Sequence, residues 1–221
     1  MPTRPAGSAT ATPRRDLRQE LLEHAVALTR EQGPDALSLR EVQRRAKVSS
    51  AAAYRHYRDR QAIVHAVGRH ASALLGDHIQ AALDARPMPA PDARRCAIER
   101  FRAGAGAYLD FMRAEPGLFR AVFLTEERPD QLEEPPPGSR AQSGRGPYQL
   151  LQDCLSDLVE HRVLSREAAP WSDVAVWAAT HGLAVLRLDG PLRFLTEDED
   201  RAATERLLDL ILAGLANDPP A

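Results

Sequence analysis

Residues that can contact a polyanion are concentrated in one short segment of the chain. Tyr54, Arg55, His56 and Arg60 lie close together, and the serine pair Ser49 and Ser50 precedes them. Cations and hydroxyl groups hydrogen-bond phosphate oxygens, and an arginine can also bond guanine in a bidentate manner. The chain has no glycine-rich phosphate loop, no His-Glu-x-x-His and no Gly-x-Ser-x-Gly sequence. The segment therefore favours nucleic-acid binding, and neither a catalytic residue nor a cofactor or metal ion is expected.

The balance of charge changes sign along the chain. Residues 1–75 hold 13 basic and 7 acidic side chains, whereas residues 76–221 hold 16 basic and 24 acidic ones. A basic head joined to an acidic body is typical of a protein that binds a polyanion with one part only. Chance placement of surface charge would give the same balance, so charge by itself leaves both interpretations open.

Length and composition indicate a globular protein of one or two domains, with 221 residues of which 43% are apolar. The longest apolar stretch, residues 174–186, is shorter than the roughly 18 residues that a membrane-spanning helix needs. Residues 1–15 lack the apolar segment of a secretory signal, so a cytoplasmic protein is expected. Cys96 and Cys154 are too few for a disulfide framework or a zinc site and are expected to be buried.

Apolar residues recur with helical spacing along the chain, and alternating runs typical of strands are absent. The pattern predicts an all-α fold of about nine helices. In the long fourth helix, residues 60–85, the predicted apolar face consists of Ile63, Val67, Ala71, Leu74 and His78. Residues 125–147 contain five prolines and three glycines and are expected to form a long, mobile loop.

Two short predicted helices near residues 38–57 have the spacing of a helix-turn-helix. Ser38 and Glu41 form a Ser-x-x-Glu sequence, in which each side chain is expected to bond the other residue's backbone N–H and so start the helix. A break at residues 47–49 separates this helix from the next one. Bracing of one helix by the other requires apolar contacts, and Val42, Ala46, Val48 and Ala53 supply them.

Residues 15–63 resemble the N-terminal domain of the TetR family of transcriptional regulators, through Ser38-Leu39-Arg40-Glu41-Val42, Ala46-Lys47-Val48-Ser49 and Tyr54-Arg55-His56-Tyr57-Arg58-Asp59-Arg60. Farther on, the sequence from Trp177 to Gly182 resembles the Trp-x-x-x-His-Gly signature of one subgroup. The resemblance implies an all-helical homodimer with a three-helix DNA-binding domain and a larger domain for ligand binding and dimerisation. We expect a flexible arm at 1–15, a DNA-binding domain at 16–60 and an effector-binding and dimerisation domain at 61–216.

The sequence departs from the family pattern at four positions, which are Gln43, Lys47, Tyr57 and Arg60 in place of Ala, Gly, Phe and Lys. A lysine in a turn that needs a positive φ is strained by about 1 kcal/mol. The resemblance places Ser38, Tyr54, His56 and Arg60 near phosphates, and Ser49, Ser50, Ala51, Ala52 and Arg55 in the major groove. Charge adds Lys47 as a phosphate contact and Arg44 as a base contact. Tyr57 is expected to close the small core, and Arg4, Arg14 and Arg15 either form a disordered tail or reach the minor groove.

The body of the chain offers candidate residues for an effector pocket and a dimer interface. The pocket candidates are Tyr108, Phe111, Met112, Phe119, Phe123, Leu151, Leu155 and His181. The interface candidates, on two helices that are apolar nearly all round, are Val174, Trp177, Val185, Leu207, Ile211 and Leu215. Plain core packing explains the pocket candidates as well. The resemblance implies a regulator, and we expect a repressor that a small molecule releases from a palindromic operator in double-stranded DNA. The alternatives are a DNA-binding protein whose second domain only dimerises, and a helical carrier or enzyme with an incidental basic head.

Overall fold

A computed structural model describes residues 16–87, 92–124 and 138–216. These residues form nine α-helices and no strand, which confirms the all-α prediction. The helices are α1 (Leu17–Gln32), α2 (Leu39–Ala46), α3 (Ser50–His56), α4 (Arg60–Asp84), α5 (Ala93–Ala114), α6 (Pro116–Val122), α7 (Pro147–Glu160), α8 (Ser172–Leu188) and α9 (Glu197–Ala216). Short 3₁₀ turns lie at Pro34–Ala36 and Pro191–Phe194. The predicted arm, residues 1–15, lies outside the described residues. Every described helix is too short or too polar to cross a membrane.

The first three helices pack around a small apolar core. Asp16, Ser38 and Ser49 cap α1, α2 and α3, each with a side-chain oxygen that accepts a backbone N–H of the first turn. The predicted bracing contacts are present, because Val42, Ala46 and Ala53 are buried and Val48 packs against the same core. The Tyr57 ring is buried, and its hydroxyl donates to the Arg18 carbonyl at 3.2 Å, which confirms its core role.

One half of the predicted capping box is wrong. The Ser38 hydroxyl accepts from the Glu41 N–H at 3.3 Å as expected. The Glu41 carboxylate, however, bonds Arg44 and Arg45 on its own helix and does not reach back to Ser38. Two guanidinium groups attract a carboxylate more strongly than one neutral N–H does.

The predicted apolar face of α4 is correct in its first half and wrong in its second. Ile63, Val67 and Ala71 are buried, but the buried stripe continues through Leu75 and Ile79 in steps of four. Leu74 is only half-buried and His78 is exposed. An α-helix has 3.6 residues per turn, so a stripe with steps of four drifts slowly around the helix. The drift carries α4 from its contact with α1 to its contacts with α5 and α7.

Helix α6 joins the head, which α1 to α3 form, to the body, which the later helices form. A Cβ placed on Gly117 would lie 2.2 Å from the Thr29 carbonyl oxygen of α1, so only glycine permits this close approach. Beside it, the Arg30 Nε donates to the Glu115 carboxylate at 2.9 Å. A single apolar core runs from α1 to α9 through this junction.

Residues 138–146 are better packed than the predicted loop. Ser139 and Ala141 are buried, and the Ala141 Cβ lies 3.0 Å from where a Cβ on Gly76 would be. The Ser72 hydroxyl donates to the Ser139 carbonyl at 3.2 Å, and the Gln142 N–H donates to the Asp77 carboxylate at 2.7 Å. Glycine at position 76 of α4 opens the space into which this segment fits. The remaining loop residues, 125–137, lie outside the described residues, and Pro147 already belongs to α7.

Candidate DNA-binding surface and ligand cavity

Helix α3 presents a polar and basic surface to solvent. Ser50, Ala51, Tyr54 and Arg55 are exposed, whereas Ala53 faces the core. The Tyr54 side chain is 54% exposed, which is unusual for an aromatic ring and leaves it available to a partner. Ala52 and His56 are half-buried at the edges of this surface. Its residue types match contacts to phosphates and base edges.

The turn before α3 is built around Lys47. This residue has φ 55° and ψ 37°, the left-handed conformation anticipated from the missing glycine. The Lys47 N–H donates to the Arg44 carbonyl and the Val48 N–H to the Gln43 carbonyl, so the turn is fixed by backbone bonds. The Lys47 side chain is exposed beside α3.

Two predicted DNA contacts are engaged within the chain. Arg44 forms a bidentate pair with Glu41, at 2.6 and 2.8 Å, although its side chain stays exposed. Arg60 donates from Nε to the Leu37 carbonyl at 2.7 Å and from a terminal nitrogen to the Pro34 and Asp35 carbonyls, so it fixes the 3₁₀ turn to the start of α4. Arg40 and Arg58, which sequence reasoning did not select, are exposed cations beside α2 and α3. In the sequence, only their positive charge within the basic segment could have indicated a contact with DNA.

A second set of ion pairs orients α2 and α3 on α1. Arg45 bridges Glu31 of α1 and Glu41 of α2. Hydrogen bonds from Arg44 and Arg45 lower the pKa of Glu41 to about 2, so this carboxylate stays charged. Arg18 caps α3 by donating to the His56 carbonyl at 2.9 Å, and its guanidinium lies over the Tyr57 ring.

A cavity of about 310 Å³ lies in the body between α4, α5, α7 and α8. Its aromatic lining consists of Phe101, Tyr108, Phe123, Tyr148 and Trp177. Its aliphatic lining is supplied mainly by Leu75, Ile79, Val122, Leu150, Leu151 and Val176. Of the described residues that line the cavity, none carries a charged side chain. The described residues also contain no cluster of His, Cys, Asp or Glu that could hold a metal ion.

The structure divides the predicted pocket residues into two groups. Tyr108, Phe123 and Leu151 line the cavity, whereas Phe111, Met112, Phe119 and Leu155 are buried in the surrounding core. His181 lies behind the lining, where its ring contacts those of Phe119 and Phe123. Phe101, Tyr148 and Cys154 also line the cavity and were missed. Helical spacing shows which residues face inward, but not which of them border a void.

A partly buried hydrogen-bonded pair lies at one wall of the cavity. The Tyr108 hydroxyl lies 2.8 Å from the His181 Nδ1. Burial raises the pKa of Tyr108 and lowers the pKa of His181, so both side chains are neutral at pH 7. Burial also raises the pKa of the Cys154 thiol to about 12, which keeps it protonated.

Helices α8 and α9 expose apolar side chains that no described residue covers. Val174, Val185 and Leu186 are exposed on α8, and Leu210 is 54% exposed on α9. Of the predicted interface residues, Val174 and Val185 lie on this face. The other four are placed differently: Trp177 lines the cavity, and Leu207, Ile211 and Leu215 are half-buried within their own chain. The exposed apolar residue of α9, Leu210, immediately precedes the predicted Ile211.

Comparison with known proteins assigns the chain to a class of regulators. Residues 101–211 match the tetracyclin repressor-like C-terminal domain, and residues 21–67 match the bacterial regulatory proteins of the tetR family. The first match covers half of the chain and the second covers the helix-turn-helix. The chain therefore belongs to the TetR family of bacterial regulatory proteins. The more specific Trp-x-x-x-His-Gly subgroup stays a prediction.

Solved structures share this fold. A protein of unknown function from Rhodococcus sp. RHA1 is 25% identical, with a TM-score of 0.62 over 95% of this chain and all of that one. TetR from Acinetobacter baumannii AYE is 19% identical, with a TM-score of 0.58 over 88% of this chain and 93% of that one. PfmR, a TetR family transcriptional regulator from Thermus thermophilus, is 21% identical, with a TM-score of 0.52 over 89% and 99% of the two chains. No curated protein matches the chain.

Proposed function

We propose that this protein is a homodimeric repressor that binds a palindromic DNA operator through α3 and is released when a small molecule fills the cavity. The observation that carries the proposal is the continuous structure between an exposed polar helix and an apolar cavity. Helix α4 begins at the head with Arg60 and borders the cavity with Ser72, Leu75 and Ile79. Such a protein acts on DNA, so we expect it in the cytoplasm.

In the proposed complex, α3 lies in the major groove. Ser49, Ser50, Ala51, Ala52 and Arg55 face the base edges, while Lys47, Tyr54 and His56 contact phosphates. Small side chains touch thymine methyl groups or make single hydrogen bonds, so Arg55 carries most of the direct base readout and DNA shape supplies the rest. Arg44 contributes to base readout only if its guanidinium leaves the Glu41 carboxylate and bonds a base instead. Ser38 and Arg60 hold the helices in position, and any phosphate contact they make is additional to their bonds within the head.

The exposed apolar face of α8 and α9 supports dimerisation. A second copy of the chain would cover Val174, Val185, Leu186 and Leu210, and it would place two copies of α3 side by side. Two recognition helices read half-sites whose centres lie about 34 Å apart, or a multiple of that distance. Dimerisation thereby explains how a short helix with few base contacts selects one site.

Release follows from the two elements that link the cavity to the head. Phe123 and Val122 at the end of α6 line the cavity, and Gly117 at its start is seated on α1. Helix α4 provides the second link. A ligand that moves either helix changes the separation of the two α3 helices, and a few ångströms of change lowers operator affinity. The ligand must prefer the released arrangement, since a ligand with equal affinity for both shifts nothing.

The test is enrichment of genomic DNA fragments on the purified chain at about 150 mM salt, where weak phosphate-only binding is screened. The matched sample is the Tyr54→Ala, Arg55→Ala variant, because both side chains are exposed and have no described role in folding. Arg60 is left unchanged, since its loss would disturb the head itself. We expect the native chain alone to recover a palindromic site. Equal recovery by both proteins, or none by either, would contradict the proposal.

A further inference from the structure

Four polar groups of the described cavity lining donate their hydrogens to protein acceptors. The Ser72 hydroxyl donates to the Ser139 carbonyl, the Tyr148 hydroxyl to the Asp173 carboxylate at 2.7 Å, and the Thr180 hydroxyl to the Val176 carbonyl at 2.8 Å. The N–H of Gly146 is used by the Gln149 side chain at 2.9 Å. Every one of these hydrogens is directed at a protein acceptor.

The Tyr108 hydroxyl is also engaged within the protein. It lies 2.8 Å from the His181 Nδ1, and one of the two atoms donates to the other. The lining therefore offers a ligand mainly apolar surface.

An anion fits such a cavity poorly, because it would find no cationic side chain among the described lining residues. A cation would lose its hydration without gaining a carboxylate, since the lining is neutral and mainly apolar. A neutral molecule avoids both costs. An N–H or O–H group on such a molecule can bond the hydroxyl oxygens that line the cavity.

We infer that the effector is a small, neutral, largely apolar molecule with an aromatic ring. The aromatic ring is selected by the rings of Phe101, Phe123 and Trp177, which offer faces and edges for stacking. A volume of about 310 Å³ is at the lower end of ligand pockets, which limits the size of the molecule. The inference rests on the proposed function, in which this cavity is the effector site.

The test is calorimetric titration of the full chain with probes that share one naphthalene ring. These are 1-naphthol, 1-methoxynaphthalene, 1-naphthoate and trimethyl(1-naphthyl)ammonium. We expect the two neutral probes, 1-naphthol and 1-methoxynaphthalene, each to bind at least about tenfold more tightly than either ion. Equal or tighter binding of an ion overturns the inference, and so does a lack of binding by both neutral probes.

Two glycines of α5 provide a matched pair of variants that locate the binding. A side chain at Gly104 enters the cavity wall, whereas one at Gly106 meets nothing within 4 Å. We expect Gly104→Leu to weaken 1-naphthol binding at least about tenfold and Gly106→Leu to change it less than about twofold. Gly104→Ala, whose Cβ would make ordinary contacts of 3.4–3.8 Å, replaces Gly104→Leu if the larger residue prevents folding, with a smaller loss expected. Equal effects at both positions place the binding outside the cavity and overturn the inference.

These titrations contain no DNA. A chain that enriches an operator but does not select the neutral probes keeps its proposed function and loses this ligand class. A chain that selects the neutral probes but enriches no DNA keeps the ligand class and loses the regulatory function.

Discussion

At the scale of single residues, Lys47 combines a structural cost with a proposed DNA contact. Its left-handed backbone strains any residue with a Cβ, yet the chain has a cation there instead of glycine. The side chain is exposed beside α3, where phosphates lie in the proposed complex. Strain at a position that contacts a ligand is understandable when the contact offsets the cost.

Replacing Lys47 with glycine separates the two effects. Lys47→Gly is expected to raise the free energy of unfolding by about 0.5–1 kcal/mol, because relief of the strain exceeds the entropy cost of glycine. Operator affinity should fall, and the slope of log affinity against log salt should decrease by about one unit per subunit. Chemical unfolding and salt-dependent operator titration measure these quantities.

The control is Arg162→Gly, at an exposed residue with nearly the same φ, 57°, far along the sequence from the head. It should stabilise the chain to a similar extent and leave operator affinity unchanged. A Lys47→Gly chain that binds the operator with native affinity and salt slope would show that Lys47 contacts no phosphate.

Two half-buried histidines give stability a predictable pH dependence. Burial lowers the pKa of His70 and of His181, so the unfolded chain binds more protons than the folded one as the pH falls below about 6.5, the pKa of an exposed histidine. Their contribution to stability is present above that pH and is lost as the pH falls toward the folded-state pKa values. The native chain should therefore lose more unfolding free energy between pH 7 and 5 than the His70→Gln, His181→Asn variant. Denaturant titrations at the two pH values measure the loss, and equal losses would refute the assignment.

At the scale of helices, the junction between α1 and α6 is the sharpest steric constraint. Gly117→Ala puts a Cβ 2.2 Å from the Thr29 carbonyl, so one helix must move. We expect the unfolding free energy to fall by about 1–3 kcal/mol, in line with other overpacking changes. Operator affinity should change as well, because α2 and α3 are oriented on α1 and would move with it.

Gly106→Ala is the matched control for this change, since its Cβ meets open space on α5. It should raise the free energy of unfolding by up to about 1 kcal/mol, the difference in helix propensity between alanine and glycine. Native operator affinity in a destabilised Gly117→Ala chain would mean that α6 does not transmit a change to the head.

The helices themselves could be predicted from the sequence because caps, breaks and apolar spacing are local signals. The same signals predicted the apolar residues that pack the two helices of the helix-turn-helix against each other. The second half of the α4 face could not be predicted, since whether a stripe continues through Leu74 or Leu75 depends on which helices lie alongside. Trp177 is a similar case, because an apolar pattern does not distinguish a cavity wall from an interface. The packing of residues 138–146 depends on the space at Gly76, which no local pattern shows.

At the scale of the whole molecule, dimerisation depends on the face formed by α8 and α9. Leu210→Glu is expected to convert a dimer into monomers, because it places a charge in an apolar interface. Tyr54→Glu is the matched control, since that side chain is also 54% exposed but belongs to the head. Sedimentation velocity should show monomers for the first variant and dimers for the second. A persistent dimer of the Leu210→Glu chain would place the interface elsewhere.

The central claim is that two copies of the chain hold two α3 helices at a fixed separation on DNA. Hydroxyl-radical footprinting of the enriched operator tests it most directly. We expect two symmetric protected patches whose centres lie about 34 Å apart, one helical turn, or a multiple of that distance, with both patches lost in the Tyr54→Ala, Arg55→Ala variant. A single protected patch, or protection that persists in the variant, would contradict the claim.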